Sequence, residues 1–231
     1  MIIKEIKNDK YKITPYKMSN DELIPVLDPP FNYYNFFYII NGGPGSGKTN
    51  LLLNLLTKKG KFFNKKFDRV YIFSPSLKTV TRAINLPEER IFDVFDLEAL
   101  QMIIDLENEE QEKNKCLIIF DDMISNFKKN IKTMLKLIYN RRHIGGGFSV
   151  IITSQVFNKI PSEIRKACNL LICFKTTNKK EKESIYNDFV NISKDEYEKI
   201  LDYCWKNKHD FLMIDCNDGT FYNGFNRLIL E

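Results

Sequence analysis

An α/β fold built on a mainly parallel central sheet follows from three observations on this chain. Residues 36–40, Phe-Phe-Tyr-Ile-Ile, form an apolar run that leads into Gly42-Gly43-Pro44-Gly45-Ser46-Gly47-Lys48-Thr49 and then a run of helix formers, Leu51 to Leu56. Residues 116–120, Cys-Leu-Ile-Ile-Phe, are continuously apolar, as a central strand covered on both faces must be, and they end on Asp121-Asp122. Along the rest of the chain, apolar runs of strand length alternate with amphipathic segments, the pattern of parallel strands joined by crossover helices.

Taken in order, residues 1–30 are polar with a few apolar positions and end in Asp28-Pro29-Pro30, which favours an extended entry to the first strand. They read as an N-terminal extension packed on a single domain, 31–231. After the helix that follows the glycine-rich loop, and a basic stretch from Lys58 to Lys66, residues 70–73 read as a buried strand closed by the turn signal Ser74-Pro75-Ser76. A short strand follows at 91–95. Leu97, Leu100, Ile103, Ile104 and Leu106 predict an amphipathic helix over 97–113. Beyond the strand at 116–120, Phe127, Ile131, Met134, Leu135 and Ile138 share one side of a helix predicted over 126–140. Strands are expected at 148–153 and 170–174. Ser193 and Glu196 form a capping box opening a helix on which Tyr197, Ile200, Leu201, Cys204 and Trp205 line one face. Residues 211–214 and 220–225 flank Asn217-Asp218-Gly219, a hairpin signal that adds antiparallel edge strands.

Composition narrows the function. The chain has 231 residues, 43% hydrophobic and 28% charged, ordinary for one sizeable α/β core. Asn and Lys interrupt every apolar run before the roughly 20 residues of a membrane span, and MIIKEIKNDK has no signal-peptide core, so an intracellular, soluble protein without a membrane partner is expected. Five cysteines without C-x-x-C spacing read as reduced core residues rather than a metal site. A net charge of +5 permits a polyanionic partner without requiring one. Only seven of the 35 basic residues are Arg, so each Arg is the more pointed choice where a rigid fork must meet phosphate.

The glycine-rich stretch has the spacing of a phosphate-binding loop between a strand and a helix. Gly42, Gly43, Pro44, Gly45, Ser46 and Gly47 would turn backbone N–H groups toward an anion at the helix N-terminus, with Asn50 just inside the helix. Lys48 would reach the β and γ phosphates of ATP, and the Thr49 hydroxyl would ligate Mg²⁺. Asp121 would hold Mg²⁺ as well, and Asp122, pointing differently, would orient or deprotonate an attacking water. The alternative for Asp122 is a cap on the next helix. Gln155 ends the strand at 148–153 and would hold the water or sense the γ phosphate. Arg141, Arg142 and Arg165 are candidates for a finger that enters a neighbour's site. Against that role stand contact with a helix dipole for Arg141 and Arg142, and an ion pair for Arg165. Lys128, Lys132 and Lys136 form a basic stripe that could track a DNA backbone or simply be a solvated face.

A phosphate-loop strand, an intervening strand, a strand ending in two acids and a strand ending in a polar residue together resemble ATPases with an additional catalytic carboxylate. In that group the sheet order is 5-1-4-3-2, which would put Gln155 between Lys48 and Asp122. More specifically, Arg142-His143, then Phe148 to Gln155, Ile160-Pro161 and Ile164-Arg165 resemble the DNA-packaging ATPases of large eukaryotic DNA viruses and virophages, the poxvirus-like branch of the FtsK–HerA superfamily. The resemblance covers residues 36–225. It implies a RecA-like P-loop NTPase core, Arg142 as the finger, Gln155 as the sensor, and a pentameric or hexameric homo-oligomeric ring. Such a ring would pull double-stranded DNA, without regard to sequence, into a capsid, with capsid or portal proteins as partners. It also implies the host cytoplasm and the virion as locations. Two departures stand out: Asp122 replaces the Glu common in the superfamily, and Gly145-Gly146-Gly147 is expected to make its loop flexible.

Three other readings remain open. A phosphate-loop nucleotide kinase needs an acceptor-binding acid after its second strand, where this chain has Ser74-Pro75-Ser76. A GTPase is suggested by Asn178-Lys179-Lys180-Glu181, although Ile124 stands where that switch has Gly. An ATP-regulated structural assembly factor would bind nucleotide without needing Asp122.

Overall fold

The computed structural model describes residues 27–230, except 32, 77–83, 85 and 111–112. Most of the N-terminal extension therefore lies outside the described residues. Of its end, Leu27 is buried in the core, and Phe31 N donates to Asp28 O at 3.2 Å, so Asp28 to Pro30 make a turn rather than the extended entry expected.

Among the described residues, nine strands form one sheet: β1 (Phe37–Asn41), β2 (Arg69–Phe73), β3 (Ile91–Phe92), β4 (Cys116–Phe120), β5 (Phe148–Ser154), β6 (Leu170–Phe174), β7 (Phe211–Asp215), β8 (Phe221–Asn223) and β9 (Asn226–Arg227). Their order is β3-β2-β4-β5-β1-β6-β7-β8-β9. Pairing is parallel from β3 to β6 and antiparallel from β6 to β9. Counting the phosphate-loop strand as the first, β6-β1-β5-β4-β2 is the expected 5-1-4-3-2 arrangement, and the hairpin strands extend one edge as the Asn217-Asp218-Gly219 signal requires.

Alternation along the strands builds two cores. In β4, Cys116, Ile118 and Phe120 face one layer, while Leu117 and Ile119 face the other. The first layer holds α2 (Leu97–Glu109), α3 (Ile124–Phe127), α4 (Ile131–Asn140), α5 (Ser162–Arg165), α6 (Lys179–Phe189) and α7 (Lys194–Cys204); the second holds α1 (Lys48–Thr57) with Leu27, Phe31 and Phe63. Asp96 caps α2 by accepting from Glu98 N and Ala99 N, and the reciprocal Ser193–Glu196 box caps α7.

Three expectations change. The helix expected over 126–140 is two pieces, α3 and α4, separated by a turn at 128–130 in which Asn130 N donates to Phe127 O. Lys128 is in that turn, so only Lys132 and Lys136 share a helix face. The helix over 97–113 ends at Glu109, and the strand at 91–95 is two residues long. The loop with Gly145, Gly146 and Gly147 is closely packed rather than loose. Side chains there would collide with Glu107 O, Asn114 O and Asn35 respectively, and Gly145 and Gly147 adopt positive φ. These glycines allow close approach of backbone segments.

Candidate active site

β1 delivers the chain into the glycine-rich loop at the carboxyl edge of the sheet, and Gly47, at φ 113°, turns it into α1. Lys48 is buried there, its Nζ donating to Gly42 O at 2.7 Å and Gly43 O at 3.3 Å. These contacts fold the lysine back over the loop where an anion would lie. The Asn41 amide and the Ser46 hydroxyl are buried with no hydrogen-bond partner among the described residues. Buried polar atoms at native sites are normally paired, so these groups fit a polar ligand at the loop. His209, from the loop before β7, places Nδ1 2.9 Å from Ser46 O.

The acids are held by strand register. Phe73, Phe120 and Ile152 are paired across β2, β4 and β5, so the residues that follow, Ser74, Asp121 and Thr153, form the next row. Asp121, 3% exposed, accepts from Ser74 Oγ at 2.8 Å and from Thr153 Oγ1 at 2.6 Å, one hydroxyl on each carboxylate oxygen. Thr153 Oγ1 also accepts from Asp122 N at 3.0 Å. At Asp122 the backbone leaves the strand with φ 54°, a left-handed conformation that Asp tolerates better than most residues. Its carboxylate accepts from Gln155 Nε2 at 2.9 Å. Asp121, Asp122 and Gln155 thus share one rim, and Ser74 and Thr153 join them.

Hydroxyl and carboxylate oxygens are the hard donors that suit Mg²⁺, and Thr49 at the start of α1 and Asp121 supply both kinds. The donor chemistry fits that ion.

The three arginines occupy different settings. Arg141 is buried and donates to Asn35 O, Ile138 O and Asn169 Oδ1 at 2.7, 2.6 and 2.9 Å. Burial first, and then the charge of Arg142, pull its guanidinium below the usual range. Its guanidinium is thus committed to the end of α4 and to the segments packed there, the helix-end contact that stands against a finger role. Arg165 forms an ion pair with Asp188 at 3.1 Å, without hydrogen-bond geometry, and lies 4.8 Å from the Phe157 ring centroid. Arg142 is exposed. The Asn178 side chain caps α6, and Glu181 is buried against Phe157 N and Thr176 Oγ1, both at 2.9 Å. The apparent guanine-reading motif is therefore a helix start. All five cysteines are free, four of them buried.

Ser74, Thr153 and His209 were not candidates on sequence. Ser74 read as part of a turn signal, and Thr153 as a strand end. Aligning the ends of the three apolar runs is the one signal that places Ser74 and Thr153 beside Asp121. His209 carries no sequence signal.

Strand order, the loop on β1 and the acids on β4 define the fold of a P-loop ATPase. The model of the poxvirus A32 protein family matches residues 30–229, and the chain belongs to that family. Among solved structures, the genome packaging NTPase B204 from Sulfolobus turreted icosahedral virus 2, in complex with sulfate, is 19% identical with a TM-score of 0.59, covering 85% of this chain and 98% of that one. The DNA-packaging ATPase B204 from Sulfolobus turreted icosahedral virus is 18% identical with a TM-score of 0.59, covering 82% and 96%. EssC (ATPases 2 and 3) from Geobacillus thermodenitrificans is 15% identical with a TM-score of 0.55, covering 85% of this chain and 40% of that one. At these identities the likeness is one of fold. No curated protein matches the chain. Among the described residues, no helix is long and apolar enough to cross a membrane.

Proposed function

We infer that this chain is a Mg²⁺-dependent ATPase whose hydrolysis drives double-stranded DNA through a homo-oligomeric ring during packaging of a viral genome. The observation that carries the reading is the rim on which Thr153 holds Asp121 and Gln155 holds Asp122, one strand away from the loop of Lys48, in a chain of the poxvirus A32 family. Its fold neighbour B204, a genome packaging NTPase, was solved in complex with AMPPCP and with ATP-gammaS, which supports nucleoside triphosphate as the ligand here.

On this reading the triphosphate lies over the loop from Gly42 to Thr49. Lys48 exchanges its bonds to the Gly42 and Gly43 carbonyls for phosphate oxygens, and the N–H groups at the start of α1 hold the same charge. Thr49 and Asp121 would hold Mg²⁺, which would supply positive charge to offset that of the triphosphate. Ser74 and Thr153 fix the Asp121 carboxylate by binding both of its oxygens. Asp122 accepts a proton from, or orients, the water that attacks the γ phosphorus, and Gln155 holds Asp122 until a γ phosphate offers its amide another acceptor. Arg142, exposed at the start of the loop before β5, is the finger for a neighbouring subunit. Contact with DNA is mainly to phosphate and salt-sensitive.

The test is ATPase rate with and without long double-stranded DNA across a salt series. Stimulation by DNA that fades with salt supports a motor. Hydrolysis indifferent to DNA overturns translocation, and transfer of phosphate to a nucleotide acceptor would identify a kinase. Asp122→Asn should retain ATP binding and lose turnover; an assembly factor would keep its function in that variant.

A further inference from the structure

A cavity of about 450 Å³ opens beside the phosphate loop, within the size range of small-molecule sites. Its floor is a chain of neighbouring aromatic rings, tilted 42–72° to one another, so that a ligand stacks on a single ring rather than on a plane. Phe174 and Phe211 have ring centroids 5.4 Å apart, Phe211 and Phe225 5.3 Å, and Phe225 and Phe62 5.1 Å. The floor reaches the loop itself, because a side chain on Gly47 would come 3.4 Å from the Phe174 ring and 3.5 Å from His209 Nδ1. His209, bonded to Ser46 O, closes the end nearest the phosphates. The opposite wall is one face of α1, where Asn50, Asn54 and Lys58 recur every fourth residue.

What this lining offers decides what it can recognise. A ring face suits a flat aromatic ligand, and Gly47 belongs both to this lining and to the phosphate loop. Among the described lining residues there is no carboxylate, the acceptor that would read the N–H donors on the edge of guanine. Asn54 Nδ2 donates to Asn50 O at 2.8 Å, so this wall is satisfied within its own helix and is not set to read one purine edge.

We propose that this cavity is the nucleobase subsite, and that it holds a purine by stacking rather than by reading its edge, so the protein accepts adenine and guanine triphosphates alike. This rests on the ATPase reading above and adds to it both a place for the base and a weak base selectivity.

The experiment compares hydrolysis of ATP, GTP and ribose 5′-triphosphate, which has no base, by the wild type, Asn54→Trp and His209→Ala. Asn54 is exposed on α1, so Trp there fills the cavity from its open side without entering the core. Stacking on aromatic side chains is worth on the order of 5- to 100-fold per base. The expected results are kcat/KM for GTP within about tenfold of ATP, and a value for ribose triphosphate at least about fivefold below ATP, carried by KM. Asn54→Trp should erase the advantage of ATP while leaving ribose triphosphate unchanged, and His209→Ala should reduce that advantage even if the tryptophan variant fails to fold. A wild type that treats ribose triphosphate like ATP, one that discriminates against GTP more than about tenfold, or variants that keep the full advantage of the base would each overturn the proposal. Failure of the wild type to hydrolyse any of the three is a different result, which refutes the ATPase reading and the proposal with it.

Discussion

Replacing Thr153 with Val tests whether one hydroxyl organises both acids. Val keeps the branched shape in a fully buried position, and removes only the group that donates to Asp121 Oδ1 at 2.6 Å and accepts from Asp122 N at 3.0 Å. A hydrogen bond to a charged group contributes about 1.5–3 kcal/mol, and leaving the Asp122 amide without its partner adds about 1 kcal/mol. The loss of stability should therefore be about 2–4 kcal/mol, a fall in Tm of roughly 5–15 °C for a chain of this size. Catalysis should suffer in a particular way. Ser74 still holds one Asp121 oxygen, but Asp122 loses the contact that fixes its backbone at φ 54°. Steady-state hydrolysis should show kcat reduced on the order of 10- to 100-fold with KM for ATP changed less than about threefold, and half-saturation by Mg²⁺ should move to higher concentration. Thr153→Ser, which restores the hydroxyl, should recover most of the rate. A valine variant within about twofold of wild type in kcat, with the same Mg²⁺ dependence, would refute the shared-hydroxyl account.

Arg141 and Arg142 should behave oppositely. Arg141→Ala removes three hydrogen bonds from a buried end of α4 and should cost about 3 kcal/mol in a denaturant melt, whereas Arg142→Ala should leave the melt nearly unchanged and abolish ATPase in the assembled protein. If the two variants melt alike, the division of roles is wrong. Gly146→Ala puts a methyl group against Asn114 O and should cost at least about 1–3 kcal/mol by thermal unfolding; an unchanged Tm would mean that the loop is free to move. Ser193→Ala removes the α7 cap and should lower Tm by a few degrees at neutral pH. The Ser193 hydroxyl, and then its backbone N–H, hold the Glu196 carboxyl below its ordinary value of 4.5. Because the folded value is the depressed one, that stabilisation is present above pH 4.5 and disappears as pH falls through the folded value. The gap between wild type and Ser193→Ala should narrow at acid pH to the part carried by the bond from Glu196 N to Ser193 Oγ, and a constant gap would remove the Glu196 carboxylate from the cap.

Much of the fold was legible because its signals are local. The glycine-rich loop, the Ser193–Glu196 box and the Asn217-Asp218-Gly219 turn each act within a few residues, and each is found where the chemistry of those residues requires it. The continuous apolar run at 116–120 and the mainly apolar run at 148–153 marked strands covered on both faces for the same reason. Boundaries were less legible where tertiary packing intervenes. The apolar face of 126–140 continues through the chain, yet the backbone breaks at 128–130, which periodicity does not register. Gly145, Gly146 and Gly147 suggested freedom; their neighbours Glu107, Asn114 and Asn35 come from distant parts of the chain.

By itself the sequence determined that a strand hands its chain to a glycine-rich loop at a helix start and that a second buried strand leads into two carboxylates, because hydrophobic patterning and glycine conformation act over short stretches. Only the tertiary structure decided which residues complete the site. Ser74 and Thr153 reach Asp121 through the register of three strands, Arg141 bonds to Asn35 O across 106 positions, and His209 meets Ser46 across 163 positions. Those contacts depend on how the sheet is ordered in space, and no local spacing in the chain encodes them.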